Sequence, residues 1–155
     1  MIGRRLVALA GLCALVILGS TACSSAGSGS VPTVTVTAND FSFHLSRSSV
    51  PAGKVHFVLQ NQSKTYPHEL WVYPPDQPKL NDMLAVADKG VDVDVHDYLQ
   101  GVAGGVEDLA PGKTASFDAT LKPGTYDLAC FVASTIGGKT MVHYEMGMHD
   151  QLTVQ

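Results

Sequence analysis

Cys130-Phe-Val-Ala-Ser-Thr-Ile-Gly-Gly-Lys-Thr-Met-Val-His143-Tyr-Glu-Met146-Gly-Met148-His149-Asp150 gathers a thiol, two imidazoles and three thioethers near the end of a 155-residue chain. Sulfur and imidazole are soft donors that bind late d-block ions. The stretch therefore reads either as a metal site or as a methionine-rich core edge that carries histidines. The residues before it narrow the choice. Tyr126, Leu128 and Cys130 alternate with Asp127 and Ala129, so a strand would turn the thiol toward an apolar face.

Upstream the same period of two recurs. Thr33-Val-Thr-Val-Thr-Ala alternates polar and apolar; Phe41, Phe43 and Leu45 share a face, as do Val55, Phe57 and Leu59. Leu70, Val72 and Tyr73 continue after His68 until Pro74-Pro75 ends the run. Ala115–Leu121, Thr125–Val132 and Gln151–Val154 supply later strands, with Pro111-Gly112 and Pro123-Gly124 as turns between them. Short strands at this spacing predict an all-β sandwich or barrel. Residues 76–108 break the rhythm. Leu80, Met83, Leu84 and Ala87 have helical spacing, so this segment reads as an insertion with one or two short helices. Its eight acids against Lys79 and Lys89 make either a solvated face or a docking patch for a basic partner.

The N-terminus bears on location. Arg4 and Arg5 precede an apolar run from Leu6 to Leu18, then small residues lead to Cys23. That is the pattern of an export signal, and the run is short of the roughly 20 residues a membrane span needs. The Gly-Ser-Thr-Ala-Cys ending resembles the lipobox of bacterial lipoproteins. The resemblance implies a signal peptide over residues 1–22, lipidation (palmitate) at Cys23, a Ser/Gly tether over 23–32 and one folded domain over 33–155. The expected place is the extracytoplasmic face of the cell membrane, held by the lipid. Without Arg4 and Arg5, eight basic side chains face fourteen acidic ones, a formal charge of −6, so nucleic acid is not an expected partner.

Of the three cysteines, Cys13 leaves with the signal and Cys23 carries the lipid, which leaves Cys130 alone in the folded domain. A lone thiol outside the cytoplasm is buried and inert, bonded to another chain, or bound to a metal. Spacing alone does not choose among these.

Two further stretches bear on that choice. Asn61-Gln-Ser-Lys-Thr-Tyr-Pro67-His68 joins one strand to the next, and Pro111-Gly112…Phe117…Pro123-Gly124-Thr-Tyr126-Asp-Leu-Ala-Cys130 leads into the ligand-rich end. With His143-Tyr-Glu-Met-Gly147-Met148 they resemble the cupredoxins, the plastocyanin- and azurin-like copper proteins, over about residues 33–155. The resemblance implies a Greek-key β-sandwich holding one copper ion that cycles between Cu(I) and Cu(II). His68, Cys130 and His143 would form its plane, and Met148 would be a weak axial ligand. His149 is the rival to His143. Met141 and Met146 read as core filler, and His44, His56 and His96 as non-ligands. Two departures stand out: the segment from Cys130 to His143 is longer than the family's, and Glu69 occupies a place usually held by Asn.

With no nucleophile–base pair, phosphate-cradling loop or open three-ligand zinc pattern, the expected activity is not enzymatic. The resemblance implies a monomeric carrier of one electron between redox partners. A copper chaperone, sensor or store, exchanging the ion with a donor or acceptor, is the alternative. Acidic segment 76–108 is the expected docking site.

Overall fold

The computed structural model describes residues 29–75, 82, 85 and 101–155. Outside them lie the signal segment, Cys23, most of the tether, and His96 with most of the acidic segment; Asp82 and Ala85 within that segment are helical and exposed.

Eleven strands form among the described residues: β1 Thr33–Asn39, β2 Ser42–Leu45, β3 Ser49–Val50, β4 Gly53–Asn61, β5 His68–Tyr73, β6 Gly104–Leu109, β7 Thr114–Leu121, β8 Gly124–Ala129, β9 Ala133–Ile136, β10 Lys139–Val142 and β11 His149–Val154. The order β2-β1-β4-β7 makes one sheet and β3-β11-β8-β5-β6 the other, while β9 and β10 pair as a separate hairpin. β1 runs parallel to β4 and β3 to β11; the remaining pairs are antiparallel. This is the expected all-β Greek-key sandwich, and alternation is its cause. Val34, Val36, Ala38, Val55, Phe57 and Leu59 project from one sheet, and Leu70, Val72, Leu128, Leu152 and Val154 from the other, with Cys130 just past the end of β8. The two sets form a single buried cluster, the geometry that removes most apolar area from water.

The structure revises the reading in three places. Gly104–Leu109, all but its last residue assigned by sequence to the insertion, is the edge strand β6 beside β5. Its glycines and acids hide the strand pattern, but one glycine is required there. A Cβ on Gly105 would lie 2.2 Å from the Trp71 ring and 2.6 Å from the Leu70 carbonyl. Phe41 is not part of β2; it sits in the β1–β2 turn with φ 60°. The strand expected over Thr125–Val132 ends at Ala129, because the chain leaves the sheet to enter the hairpin. Gly137 and Gly138 close that hairpin with φ of 60° and 82°, the pair of positive values a two-residue type I′ turn needs. The extra length between Cys130 and His143 is thereby folded outward as structure.

Candidate metal centre

Three loops meet at one end of the sandwich. The first, residues 62–67, is set by Asn61. Its side-chain amide donates to the carbonyls of Tyr66 at 2.9 Å and Leu109 at 2.8 Å, and its Oδ1 accepts from Ser63 N–H at 2.9 Å. Ser63 Oγ in turn accepts from the N–H groups of Thr65 and Tyr66. Asn61 and Ser63 are buried, so these bonds satisfy polar groups that water cannot reach. They deliver His68 to the first position of β5, facing inward.

The second loop follows β8 and the third follows β10. Cys130 N–H donates to the Met148 carbonyl, Met148 N–H to the His143 carbonyl, and His143 N–H to the Val132 carbonyl. These bonds tie residues 130, 132, 143 and 148 into one compact unit. Gly147, with φ 101°, makes the final turn, a conformation unfavourable for a side-chain-bearing residue.

Three ligand-type atoms converge there. His68 Nδ1 lies 3.1 Å from His143 Nδ1 and 3.9 Å from Cys130 Sγ, and His143 Nδ1 lies 3.6 Å from that sulfur. All three side chains are fully buried. Among the described residues they are the one group of three or more His, Cys, Asp or Glu with ligand atoms close enough to share an ion. A point equidistant from the three atoms lies about 2.1 Å from each, close to metal–nitrogen bonds of about 2.0–2.1 Å and metal–sulfur bonds of about 2.3 Å at a d-block ion. The residues fit a metal ion.

Electrostatics point the same way. Burial holds both imidazoles below their ordinary protonation range, His143 at about 4, and the neighbouring His68 pushes His143 down further. Asp40 opposes this only in part. Both rings are therefore neutral at pH 7, the form that ligates. Burial pushes the Cys130 thiol up to about 12, although the N–H groups of Glu69 and Val132 donate to its sulfur. Without a cation it stays protonated, and only a bound cation would make the thiolate the stable form here. On the far side of its ring, His143 Nε2 is 2.8 Å from Ser134 Oγ on β9. With the proton on Nε2, Ser134 accepts and Nδ1 is left as a free donor atom.

Glu69, also buried, is outside the group of three ligand residues; its carboxylate accepts from Phe131 N–H at 2.7 Å and its own N–H points at Cys130 Sγ at 3.5 Å. It clamps the residue after the thiol, as the usual small polar side chain would, rather than joining the three ligand atoms. Burial raises its pKa. Met148 is fully buried in the cluster that contains Cys130. His149 is exposed and stacks on Tyr144, away from the group His143 occupies. His44 is exposed, and His56 bonds Asp118 at 2.7 Å on the outer side of β4; neither approaches the site. The sequence reading missed Phe41 and Ser134. Phe41 packs its ring 5.0 Å from His143 and 4.9 Å from Tyr66, and no local pattern marks a turn residue as a cover.

The family profile of the Cupredoxin-like domain matches residues 11–142. An iron uptake system component, EfeO of Yersinia pseudotuberculosis, is 30% identical over 120 residues, 76% of this chain and 25% of that protein. The chain thus spans about a quarter of the length of the curated relatives it matches. Among solved structures, a dithionite-reduced auracyanin from Roseiflexus castenholzii superposes with a TM-score of 0.57 at 20% identity, covering 82% of this chain and 99% of that one. Auracyanin A of Chloroflexus aurantiacus, described as a blue copper protein, gives 0.51 at 17% identity over 79% of this chain and 99% of its own.

Proposed function

The chain belongs to the cupredoxin-like family, and from that premise we propose that it holds one copper ion on His68, Cys130 and His143, with Met148 as axial ligand, and carries single electrons between partner proteins. The observation that carries this reading is the buried triangle of two Nδ1 atoms and one Sγ, with sides of 3.1, 3.6 and 3.9 Å. Copper in such a set supplies reversible one-electron exchange. The chain's own part is to fix the donors. Asn61 and the 143–148 turn hold them from both sides of the sandwich, Ser134 bonds the outer nitrogen of His143, and two backbone N–H groups face the sulfur. Burial of every donor excludes water, so little rearrangement accompanies gain or loss of charge.

The protein so read is a carrier and not an enzyme. It is exported, lipidated at Cys23 and held at the extracytoplasmic face of the membrane, where a monomer on a Ser/Gly tether can reach its partners. The acidic segment 76–108 is proposed to steer basic partners toward the chain.

A second reading, metal handling as chaperone, sensor or store, is favoured by one finding: the curated relatives are named as components of an iron uptake system. Reconstitution with copper, followed by optical and electron paramagnetic resonance spectra, separates the two. A strong thiolate-to-copper band with reversible cycling supports the carrier. Tight Cu(I) binding without a stable Cu(II) form supports handling. A chain that takes up no copper overturns both copper readings.

A further inference from the structure

The outer face of the five-stranded sheet carries a second cluster that the metal centre does not use. Tyr73, Ala129 and Phe131 are buried there, with Trp71, Val102, Val142 and Tyr144 packed against them. The register places Trp71, Ala129 and His149 opposite one another across β5, β8 and β11. Ala129 is small, and Trp71 lies over Gly105, so the centre of the face has room for rings from the loops. Phe131 and Tyr144 stack with centroids 5.5 Å apart and planes at 17°; Tyr144 and His149 stack at 4.6 Å and 26°. The series begins at the residue bonded to Cys130 and ends on an exposed imidazole.

The direct way out of the centre is closed. His68 and His143 are fully buried, and the outer nitrogen of His143 is occupied by Ser134 of the β9–β10 hairpin. No ligand edge reaches the surface for a partner to touch. The face at Tyr144 and His149 does, and acids flank it. Glu145 is exposed. Asp127, bonded to Gln151 at 2.9 Å, lies close enough for its charge to act on Tyr144.

We propose that electrons leave and enter through this stack, Phe131–Tyr144–His149, and that the partner docking over Tyr144 and His149 presents a basic, aromatic-lined face to Asp127 and Glu145. This rests on the carrier reading. In the oxidative direction one electron passes from the reduced centre to the partner's oxidised acceptor; no bond forms or breaks and no proton moves. Rings in contact replace a gap through space. The acids concentrate a cationic partner.

Two measurements test it. The redox-inert cation tris(phenanthroline)chromium(III), titrated into the metal-free chain, should broaden the amide signals of Tyr144, His149 and Gln151 first. Broadening centred on Phe41 and Tyr66 instead overturns the docking face, whether or not copper binds. Oxidation of the copper-loaded chain by tris(phenanthroline)cobalt(III) should slow severalfold in Tyr144→Leu and recover in Tyr144→Phe. Copper content, optical band and potential should stay as in the parent. Asp127→Asn with Glu145→Gln should slow it by about tenfold at low salt, the lower end of what charge steering supplies. His44→Gln, on the opposite sheet, should leave the rate alone. A copper-loaded Tyr144→Leu chain oxidised as fast as the parent overturns the port and leaves the carrier reading standing. A parent chain that binds no copper overturns the carrier reading and the port with it.

Discussion

His68 Nδ1 and His143 Nδ1 face each other at 3.1 Å, although 75 positions separate them in the chain. Two neutral imidazoles facing each other through these nitrogens share at most one proton, and with neither nitrogen protonated their two lone pairs oppose each other across the gap. A cation satisfies both lone pairs together. The pair is thus held in an arrangement that a metal completes.

Replacing Cys130 by Ser should remove any intense visible band of the copper-loaded chain and leave the fold intact. The side chain is buried and the two differ by one atom, so secondary structure by circular dichroism should not change. A retained band would remove Cys130 from the centre.

Met148→Leu should keep the metal and move mainly the potential. The swap conserves volume in the core, which costs less than about 1.5 kcal/mol, and an axial thioether bond is weak. Cyclic voltammetry and copper content read the two effects separately. Outright loss of copper would give Met148 a larger part than an axial one.

Metal uptake at pH 7 should release one proton, from Cys130. The thiol is protonated because burial holds it up to about 12, and the imidazoles are already neutral. Affinity should therefore fall as pH falls, and more steeply once His143 begins to protonate near 4. Calorimetry in buffers of different ionisation enthalpy counts the protons; a count of zero would mean the thiol stays out of the site.

The metal-free chain should be most stable between about pH 6.5 and 9. His143 falls from its ordinary 6.5 to about 4 on folding, so between those values the unfolded chain binds more protons and stability is lost as pH drops. Cys130 rises from 9.0 to about 12, so there the folded chain keeps the proton and stability is lost as pH climbs. Denaturant midpoints across the range would show the plateau; rising stability above pH 9 would contradict it.

Glu69 acts in the opposite sense to His143 at acid pH. Its pKa is raised from 4.5, chiefly by burial, so stability falls as pH rises through the shifted value. Glu69→Gln keeps an acceptor for Phe131 N–H and should be at least as stable as the parent at pH 7. Glu69→Ala strands that buried N–H and should cost about 1–3 kcal/mol. If both variants unfold at the same denaturant concentration as the parent, the bond at 2.7 Å has no mechanical role.

Local patterns along the chain were enough to read the sandwich. Alternation in β1, β4, β8 and β11 forces one face inward, and a period of two survives in any local window. Cys130 stood out by its solitude, but His68, Cys130, His143 and Met148 were read as one set only through the resemblance to the cupredoxins, and the structure brings the first three together. Tertiary structure decided what depends on distant approach. β6 is a strand because it pairs with β5, where Trp71 leaves no room for a side chain at Gly105, and glycines and acids carry no strand signal alone. Ser134 reaches His143, and Phe41 covers it, only because the hairpin and the β1–β2 turn fold over the same end. The stack from Phe131 to His149 joins a post-strand loop, a ligand turn and a strand. No periodicity links those segments, since contact between loops is set by packing rather than by spacing along the chain.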